Sequence, residues 1–290
     1  MRGIQSYAAY VPYRRLERRA IAAFFGGAPG KGQRTVASFD EDTTTMGFEA
    51  ARLALRAAPG ASPGALWFAT AEPAYLEKTN ASAIHAALRL DASVAAMDLN
   101  GALRSGVGAL RAALRSTDQV LVTTAGLRGG LPTSADESEG GDGAAAVLVG
   151  DDSERPVVAE YLGGASETEE FVDRWRTPGS PKTRRWEDRF GETVYVPMAE
   201  RAWNAALKTC GLNPDQVDVA VVTGNHQRAV RAAANRLGAA AVADNLDATV
   251  GNTGAAHFGV VLAGVLDTAA PGTTVAVVVL ADGVEVLLFR

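Results

Sequence analysis

Residues 98–116 read DLNGALRSGVGALRAALRS. The apolar segment Val94–Leu99 predicts a buried strand, Asn100-Gly101 predicts a turn, and Ala102–Leu114 predicts a helix of small and apolar residues. The head of such a helix presents unpaired N–H groups and the positive end of the helix dipole, which stabilise a thiolate or a developing oxyanion. The residue at this head is Leu103, which carries no nucleophilic atom. The alternative interpretation is a structural helix that packs closely through its glycines.

The composition is that of a globular protein that can bury a large core. Of its 290 residues, 47% are hydrophobic and 21% are charged, and the formal net charge of −5 gives no reason to expect nucleic acid or an anionic membrane as a partner. Cys210 is the single cysteine, which excludes an internal disulfide framework and a Cys-rich zinc site. The three histidines show no metal-ligand spacing. The longest apolar run, Thr274–Ala281, is too short to span a bilayer and the N-terminus does not read as a signal peptide, so we predict a cytoplasmic protein.

The order of predicted elements repeats once along the chain. Residues 1–150 and 151–290 each read as strands that alternate with helices, followed by two closing strands, which is typical of a duplicated α/β chain. The last two strands form a predicted hairpin turned at Asp282-Gly283. The helices Ala102–Leu114 and Gly254–Ala269 read as apolar on all sides, so we expect each to lie between two sheets.

Several other segments carry predictions of their own. Tyr13–Phe25 predicts one helix, Gly30–Phe39 a loop, and Pro132–Gly143 an acidic loop; Thr79-Asn80 is expected to cap a helix at Ala81–Leu90. The polar excursion Ser166–Gly191 contains aromatic residues amid Arg and Pro, and it could be an ordered lid or a partner-binding arm.

Six stretches, in order along nearly the whole chain, resemble the thiolase superfamily, and within it the archaeal-type 3-hydroxy-3-methylglutaryl-CoA synthases and the ketoacyl synthase III enzymes. They are Ser6–Pro12, Asp40–Thr43, Pro73–Lys78, the segment quoted above, Gly191–Tyr195 and Val250–Thr253. The resemblance implies a thiolase fold, a duplicated five-layer α-β-α-β-α sandwich.

The resemblance also implies a set of catalytic positions. These synthases use a Cys nucleophile at the head of the central helix, with a His and an Asn across the site, and the methylglutaryl branch adds a Glu. In this chain the Cys position is Leu103, the His position is Thr223 with His226 three residues later, and Asn252 matches directly. The Glu position holds Ala71, with a glutamate next to it.

The missing nucleophile determines the predicted mechanism. Leu103 has no lone pair, so it cannot form an acyl-enzyme, and Cys210 at the end of a predicted helix is unsuited to replace it. Asn252 and His226 could still polarise a thioester carbonyl, which serves aldol or retro-aldol chemistry, decarboxylation, or partner-dependent acyl transfer. The alternative is a non-catalytic subunit that scaffolds a Cys-bearing partner. Structural roles are open for both residues: His226 could cap a helix, and Asn252 could form a turn.

The predicted substrate is an acyl group carried on coenzyme A or on the phosphopantetheine of an acyl carrier protein, and no cofactor or metal is predicted. Candidate substrate-binding residues are Tyr75, Lys78, Arg104, Arg228 and Gly254. Arginines at 128, 184, 185 and 231 could also receive phosphates, although scattered arginines are usually solvated. His257 is interpreted as a core histidine, and the aromatic rings of Tyr75 and Tyr195 could serve packing alone.

The family resemblance further implies partners. Such enzymes pair strands like Val94–Leu99 across a two-fold axis, which predicts a homodimer, or a heterodimer with a Cys-bearing thiolase-like paralogue. The resemblance to archaeal-type synthases also implies a small zinc-binding OB-fold protein as a partner, which would here act in trans.

Overall fold

The computed structural model describes residues 1–26, 30–132, 134–153, 155–180 and 183–290. The chain divides into two compact units, of which unit 1 comprises Met1–Tyr161 and Leu246–Asp267 and unit 2 comprises Leu162–Asn245 and Thr268–Arg290. Within the described ranges, no helix combines the length and the apolar character needed to cross a bilayer.

Unit 1 contains seven complete strands: β1 (Arg2–Tyr10), β2 (Arg14–Glu17), β3 (Gln33–Val36), β4 (Ala65–Thr70), β5 (Ala95–Asn100), β6 (Val120–Gly126) and β7 (Gly143–Asp151). Its helices are α1 (Arg18–Phe25), α2 (Thr43–Ala57), α3 (Ala81–Leu88), α4 (Arg104–Arg115), α5 (Ala135–Glu139) and, from the second stretch of chain, α8 (His257–Leu266). A 3₁₀ turn at Gly254–Ala256 leads directly into α8.

The main sheet of unit 1 has the strand order β5-β4-β6-β7-β1. Strand β4 runs parallel to both β5 and β6, whereas β6–β7 and β7–β1 are antiparallel. Helix α2 covers this sheet with a core that includes Met46, Ala50 and Ala54. The helix begins with a capping box, in which the Asp42 carboxylate accepts from Thr45 N and the Thr45 hydroxyl accepts from Asp42 N.

Unit 2 is built from β9 (Arg174–Trp175), β10 (Arg184–Arg185), β11 (Val219–Gly224), β12 (Ala241–Val242), β13 (Val275–Leu280) and β14 (Val284–Phe289), with helices α6 (Asp188–Cys210) and α7 (Gln227–Leu237). Strand β8 (Ala159–Glu167) begins in unit 1, where it pairs with β1, and continues into unit 2. The strand order is β12-β11-β13-β14-β8.

The two sheets repeat one topology. Strand β11 is parallel to β12 and β13, and β13–β14 is antiparallel, as β4 is parallel to β5 and β6 and β6–β7 is antiparallel in unit 1. The predicted duplication of α/β elements is therefore present in the strand order. The predicted closing hairpin is also confirmed, with Leu280 opposite Val284 across the turn.

Several local predictions were wrong. Tyr13–Phe25 is not one helix, because Arg14–Glu17 forms a strand that pairs with Gln33–Val36. The second of these strands lies in Gly30–Phe39, which was predicted to be a loop. The acidic loop contains the short helix α5, which begins where the Ser134 hydroxyl accepts a hydrogen bond from Glu137 N. Strand β5 is not buried, since it has a neighbour only on its β4 side and exposes Ala95, Met97 and Asn100.

Helix α4 is amphipathic, whereas the sequence predicted a helix that is apolar on all sides. Its buried positions are Gly106, Val107, Ala109, Leu110, Ala113 and Leu114. Arg104, Arg111 and Arg115 recur at helical spacing on another side, where Arg115 is exposed. The sequence analysis recognised the apolar positions of α4 but overlooked the arginines that recur on another side of the helix.

Candidate active site

The head of α4 is the first element of the candidate site. Strand β5 ends at Asn100, Gly101 takes a φ of 117°, and Leu103 is the N-cap residue of α4 without a side-chain cap hydrogen bond. Leu103 and the first helical residue, Arg104, are both half-buried. The predicted strand–turn–helix is therefore confirmed, and its head carries an aliphatic side chain at the positive end of the helix dipole.

A tight backbone approach fixes α4 against the turn that follows Asn252. A Cβ atom added to Gly106 would lie 2.2 Å from the carbonyl oxygen of Ala255. On the other side of the same turn, a Cβ atom added to Gly254 would lie 3.3 Å from Arg128 Cδ and 4.0 Å from Leu103 Cδ2. Unit 1 therefore brings Leu103, Gly254 and Arg128 together, and the φ of 65° at position 254 favours Gly.

Asn252 is held by its own backbone and side chain. It is 5% exposed, its N–H donates to Glu139 O at 2.9 Å, and its carbonyl accepts from Gly141 N at 3.0 Å. Its Oδ1 accepts from Gly254 N at 2.9 Å, which forms an Asx turn at the start of the 3₁₀ segment. The Oδ1 atom therefore has a structural role, and the Nδ2 group is the end of this side chain that has hydrogens to donate.

His257 follows in the same unit and is buried, as was predicted for a core histidine. Its Nδ1 lies 3.3 Å from Thr253 N, which donates to it. This hydrogen bond makes the neutral ring carry its hydrogen on Nε2. His257 thus supports the turn that contains Asn252 and Gly254.

In unit 2, His226 lies after β11 and is the N-cap residue of α7. The side chain is 1% exposed, and Nε2 is hydrogen-bonded to Asp173 Oδ1. With Asp173 ionised, Nε2 carries the hydrogen, so Nδ1 is the acceptor nitrogen of the neutral ring. The ring packs over Gly191, where an added Cβ atom would lie 2.6 Å from His226 Cε1.

Asp173 joins His226 to a buried tyrosine. Its Oδ2 accepts from the Tyr195 hydroxyl at 2.9 Å, and the same hydroxyl accepts from Asp282 N at 3.1 Å. Burial, followed by the charge of Asp173, raises the pKa of Tyr195 above its usual value, so the phenol stays protonated as a donor. The sequence analysis missed Asp173, because a single Asp in a polar excursion gives no signal that it will be 2% exposed and paired.

Three other residues of unit 2 were discussed in the sequence analysis. Thr223 is buried in β11, opposite Val279 of β13. Arg228 is exposed on α7 and its guanidinium pairs with Glu192 of α6. Cys210 ends α6 beside Gly163, and burial raises the pKa of its thiol, which disfavours the thiolate that a nucleophile needs.

Tyr75 and Lys78 lie in a loop that Asn80 organises. The fully buried Asn80 side chain accepts from Tyr75 N at 3.0 Å and donates to the carbonyls of Tyr75 and Lys78. Asp98 of β5 in turn accepts from Asn80 N and Ala81 N, each at 2.7 Å, and so caps α3. The predicted Thr79-Asn80 cap was wrong in this detail, since Asn80 makes no side-chain cap bond and a residue distant in sequence supplies it. The Tyr75 ring is exposed, and the carbonyl oxygen of Lys78 accepts a hydrogen bond from Asn80 Nδ2.

Charged side chains are buried near Arg128. Its guanidinium pairs with Asp136 at 3.1 Å, and its backbone N–H donates to Asp142 Oδ1 at 2.7 Å. Arg34 pairs with the same Asp142 oxygen at 3.3 Å. Arg34, Arg128 and Asp142 help to line a cavity of about 350 Å³ in unit 1. Among the described residues, no group of His, Cys, Asp and Glu side chains is arranged to hold a metal ion.

Comparison with known proteins gives two kinds of match. The chain is 30% identical to the hydroxymethylglutaryl-CoA synthase of Pyrococcus furiosus, over 93% of this chain and 80% of that protein. It is 31% identical to the enzyme of the same name from Pyrobaculum aerophilum, over 97% of this chain and 84% of that protein. No protein-family model matches the chain.

Solved structures match over their full length. The 3-oxoacyl-[acyl-carrier-protein] synthase III of Aquifex aeolicus superposes with a TM-score of 0.86 at 21% identity, covering 100% of both chains. A variant of OleA from Xanthomonas campestris superposes with a TM-score of 0.85 at 19% identity, covering 99% of this chain and 98% of that one. The predicted thiolase-like α/β fold is confirmed.

Proposed function

Because the chain belongs to the hydroxymethylglutaryl-CoA synthase family, we propose that it makes or breaks a carbon–carbon bond in an acyl thioester without a cysteine-bound intermediate. The observation that carries this proposal is Leu103 at the head of α4. The positive end of the helix dipole would stabilise a thioester oxygen there, whereas the side chain offers no atom to acylate.

The proposed chemistry uses groups already described in each unit. Asn252 is proposed to donate a hydrogen bond from Nδ2 to the thioester carbonyl, since the Asx turn holds its other end. His226 is proposed to move a proton through Nδ1, while Asp173 fixes the ring and stabilises the imidazolium. Aldol or retro-aldol chemistry, decarboxylation, and acyl transfer from a partner's thioester all fit these roles, with the acyl group on coenzyme A or on a carrier protein.

Substrate contacts and partners belong to the same proposal. Arg104 at the first turn of α4 and Arg228 on α7 are proposed to meet the phosphates of the carrier, with Tyr75, Lys78 and Gly254 as further contacts. The exposed edge of β5 supports a homodimer, or a heterodimer with a Cys-bearing paralogue, because an unpaired edge strand offers its backbone to a second chain. A zinc-binding OB-fold protein acting in trans remains part of the proposal from the family resemblance.

A second candidate function is a non-catalytic subunit that scaffolds an active partner. The burial of His226 favours it, since 1% of this side chain is exposed and Nε2 is occupied by Asp173. The Oδ1 of Asn252 is likewise used within the fold. These hydrogen bonds would maintain the shape of the chain whether or not it turns over a substrate.

The test is product formation from a panel of acyl-CoAs, followed by mass spectrometry of both product and protein. We expect a new product, no acylation of this chain, and a loss of about 100-fold in turnover for Asn252→Ala and for His226→Ala. The exposed residue Arg236, which pairs with Glu200, gives the control Arg236→Gln. Unchanged turnover in both site variants would refute the enzyme. A stable complex in which only a partner becomes acylated would establish the scaffold.

A further inference from the structure

Helix α1 of unit 1 buries none of its eight residues. The side chain of Phe24 is 82% exposed and that of Phe25 is 39% exposed, and the two rings pack edge-on against each other with centroids 4.8 Å apart. One side of the helix is open to solvent along its length, because Arg19, Ala20, Ala23 and Phe24 are exposed at helical spacing. A cation and an aromatic ring therefore share one open face.

The chain around α1 is basic, although the whole protein has a formal net charge of −5. Residues 14–31 contain five Arg and Lys residues and one Glu. Arg14, Arg15, Arg19 and Lys31 are exposed. Within the residues that the structure describes, the side chains of Arg19 and Lys31 pair with no carboxylate. Exposed charges act over about 8 Å at physiological ionic strength, so the local charge decides which surface this part of the protein attracts.

The first turn of α1 is fixed to the rest of unit 1. Arg18 N donates to Gly32 O at 3.0 Å, and the Arg18 guanidinium donates to Ser138 O at 2.6 Å and to Lys31 O at 3.1 Å. The two phenylalanines lie at the other end of the helix, which Gly26 closes in the left-handed conformation. Because the helix is formed and anchored before it meets a partner, binding orders little additional chain.

The size of this face separates the classes of partner. A stable protein–protein interface takes about 20–30 residues from each side, whereas α1 has 8 residues. A lipid surface requires only a few side chains, because aromatic rings enter the boundary between head groups and acyl chains while Arg and Lys remain with the phosphates. Each Lys or Arg near an anionic lipid surface strengthens binding by about fivefold.

We propose that α1 docks this protein on an anionic membrane surface, with Phe24 and Phe25 in the head-group boundary and Arg19 and Lys31 on lipid phosphates. The contact is peripheral and reversible, because the face offers only two aromatic rings to the bilayer. The proposal is independent of the proposed function, since it uses no residue of the candidate active site.

The experiment is flotation of the full chain with lipid vesicles, made either of phosphatidylcholine alone or of phosphatidylcholine and phosphatidylglycerol in equal parts. We expect binding to the mixed vesicles that falls as salt is added, and little binding to phosphatidylcholine. Arg19→Gln with Lys31→Gln should weaken binding to the mixed vesicles by about 25-fold, which is fivefold for each charge removed. Phe24→Ser should weaken it by about tenfold, because a ring no longer leaves water, and Phe24→Trp should retain it, because an indole suits the membrane interface. The control Arg201→Gln with Arg236→Gln removes the same charge from exposed positions of unit 2 and should bind like the wild type.

Four results would overturn the membrane face of α1. One is equal vesicle binding by the wild type and the Arg19→Gln, Lys31→Gln variant, with circular dichroism showing both to be folded. Another is equal weakening by the unit 2 control, which would make the effect one of net charge. The third is a wild type that binds no vesicles but changes its oligomeric state on Phe24→Ser, which would assign the face to a second copy of the chain. The last is binding of polyglutamate without binding of vesicles, which would assign it to an acidic protein.

Discussion

Two glycines of α4 provide a matched pair of substitutions that test how the head of this helix is positioned. Gly106 and Gly108 are the third and fifth residues of α4, so alanine gains a comparable helix propensity at either position. A Cβ atom at Gly108 would meet nothing within 4 Å. At Gly106 it would lie 2.2 Å from the carbonyl oxygen of Ala255 and 3.1 Å from Phe258 Cε1.

The expected magnitudes follow from these distances. Gly108→Ala should stabilise the protein by about 0.5–1 kcal/mol, the usual advantage of Ala over Gly inside a helix. Gly106→Ala has the same advantage, but its methyl group must push α4 away from a backbone carbonyl that has no rotamer to adopt. Such overpacking costs about 1–3 kcal/mol, and a rigid neighbour favours the upper part of that range. Because the propensity contribution cancels, the difference between the variants measures the close approach itself.

Urea unfolding measures this difference. The midpoints at an unchanged m-value give the change in the free energy of unfolding, and coincident transitions by fluorescence and circular dichroism check that a single transition is being followed. Acyl-CoA binding gives a second readout, because a shift of the turn at Ala255 also displaces Gly254 and Asn252. We expect weaker binding for Gly106→Ala and unchanged binding for Gly108→Ala. If Gly106→Ala is as stable as Gly108→Ala, the helix does not approach the turn as described.

Two further predictions concern unit 2. Asp173→Ala leaves His226 Nε2 and the Tyr195 hydroxyl buried without their acceptor and should destabilise the protein by about 3–5 kcal/mol. Asp173→Asn keeps one acceptor oxygen, enough for one of the two donors, and should destabilise the protein less, by about 1–3 kcal/mol. The exposed Asp215→Ala is the control, expected within about 0.5 kcal/mol of wild type, and an equally small effect of Asp173→Ala would contradict the buried network. Burial raises the pKa of the Cys210 thiol, so its thiolate fraction at pH 8 should be lower than in the unfolded chain and increase as pH rises through the raised pKa. Reaction with a disulfide reagent should therefore be slower in the folded protein than in urea, and equal rates would show the thiol to be accessible and unshifted.

Local sequence patterns predicted most of the regular elements. Helix α7 was predicted with its observed bounds, Gln227–Leu237, because its apolar positions recur with helical spacing and Gly238 ends it. The closing hairpin was found because two apolar runs flank Asp282-Gly283. Where local patterns failed, long-range pairing was the cause: Arg14–Glu17 reads as part of an amphipathic helix but is held as a strand by Gln33–Val36. Propensity is a weak preference that such pairing overrides.

The residues of the candidate site were likewise predictable where the signal is local in the sequence. The sequence alone identified the turn before α4, the leucine at its head, and the residues Asn252 and His226 that follow strands or precede helices, since these features are local. It also supplied the family resemblance, which the similarity to hydroxymethylglutaryl-CoA synthases confirms.

Only the tertiary structure determined what those residues touch. It placed Asp173 between His226 and Tyr195, and it put Gly254 beside Leu103 and Arg128. Each of these contacts joins residues that are distant in sequence, and side-chain type alone does not encode such pairs. A buried carboxylate is stable only where donors converge on it, and that convergence comes from the folding of whole elements against one another.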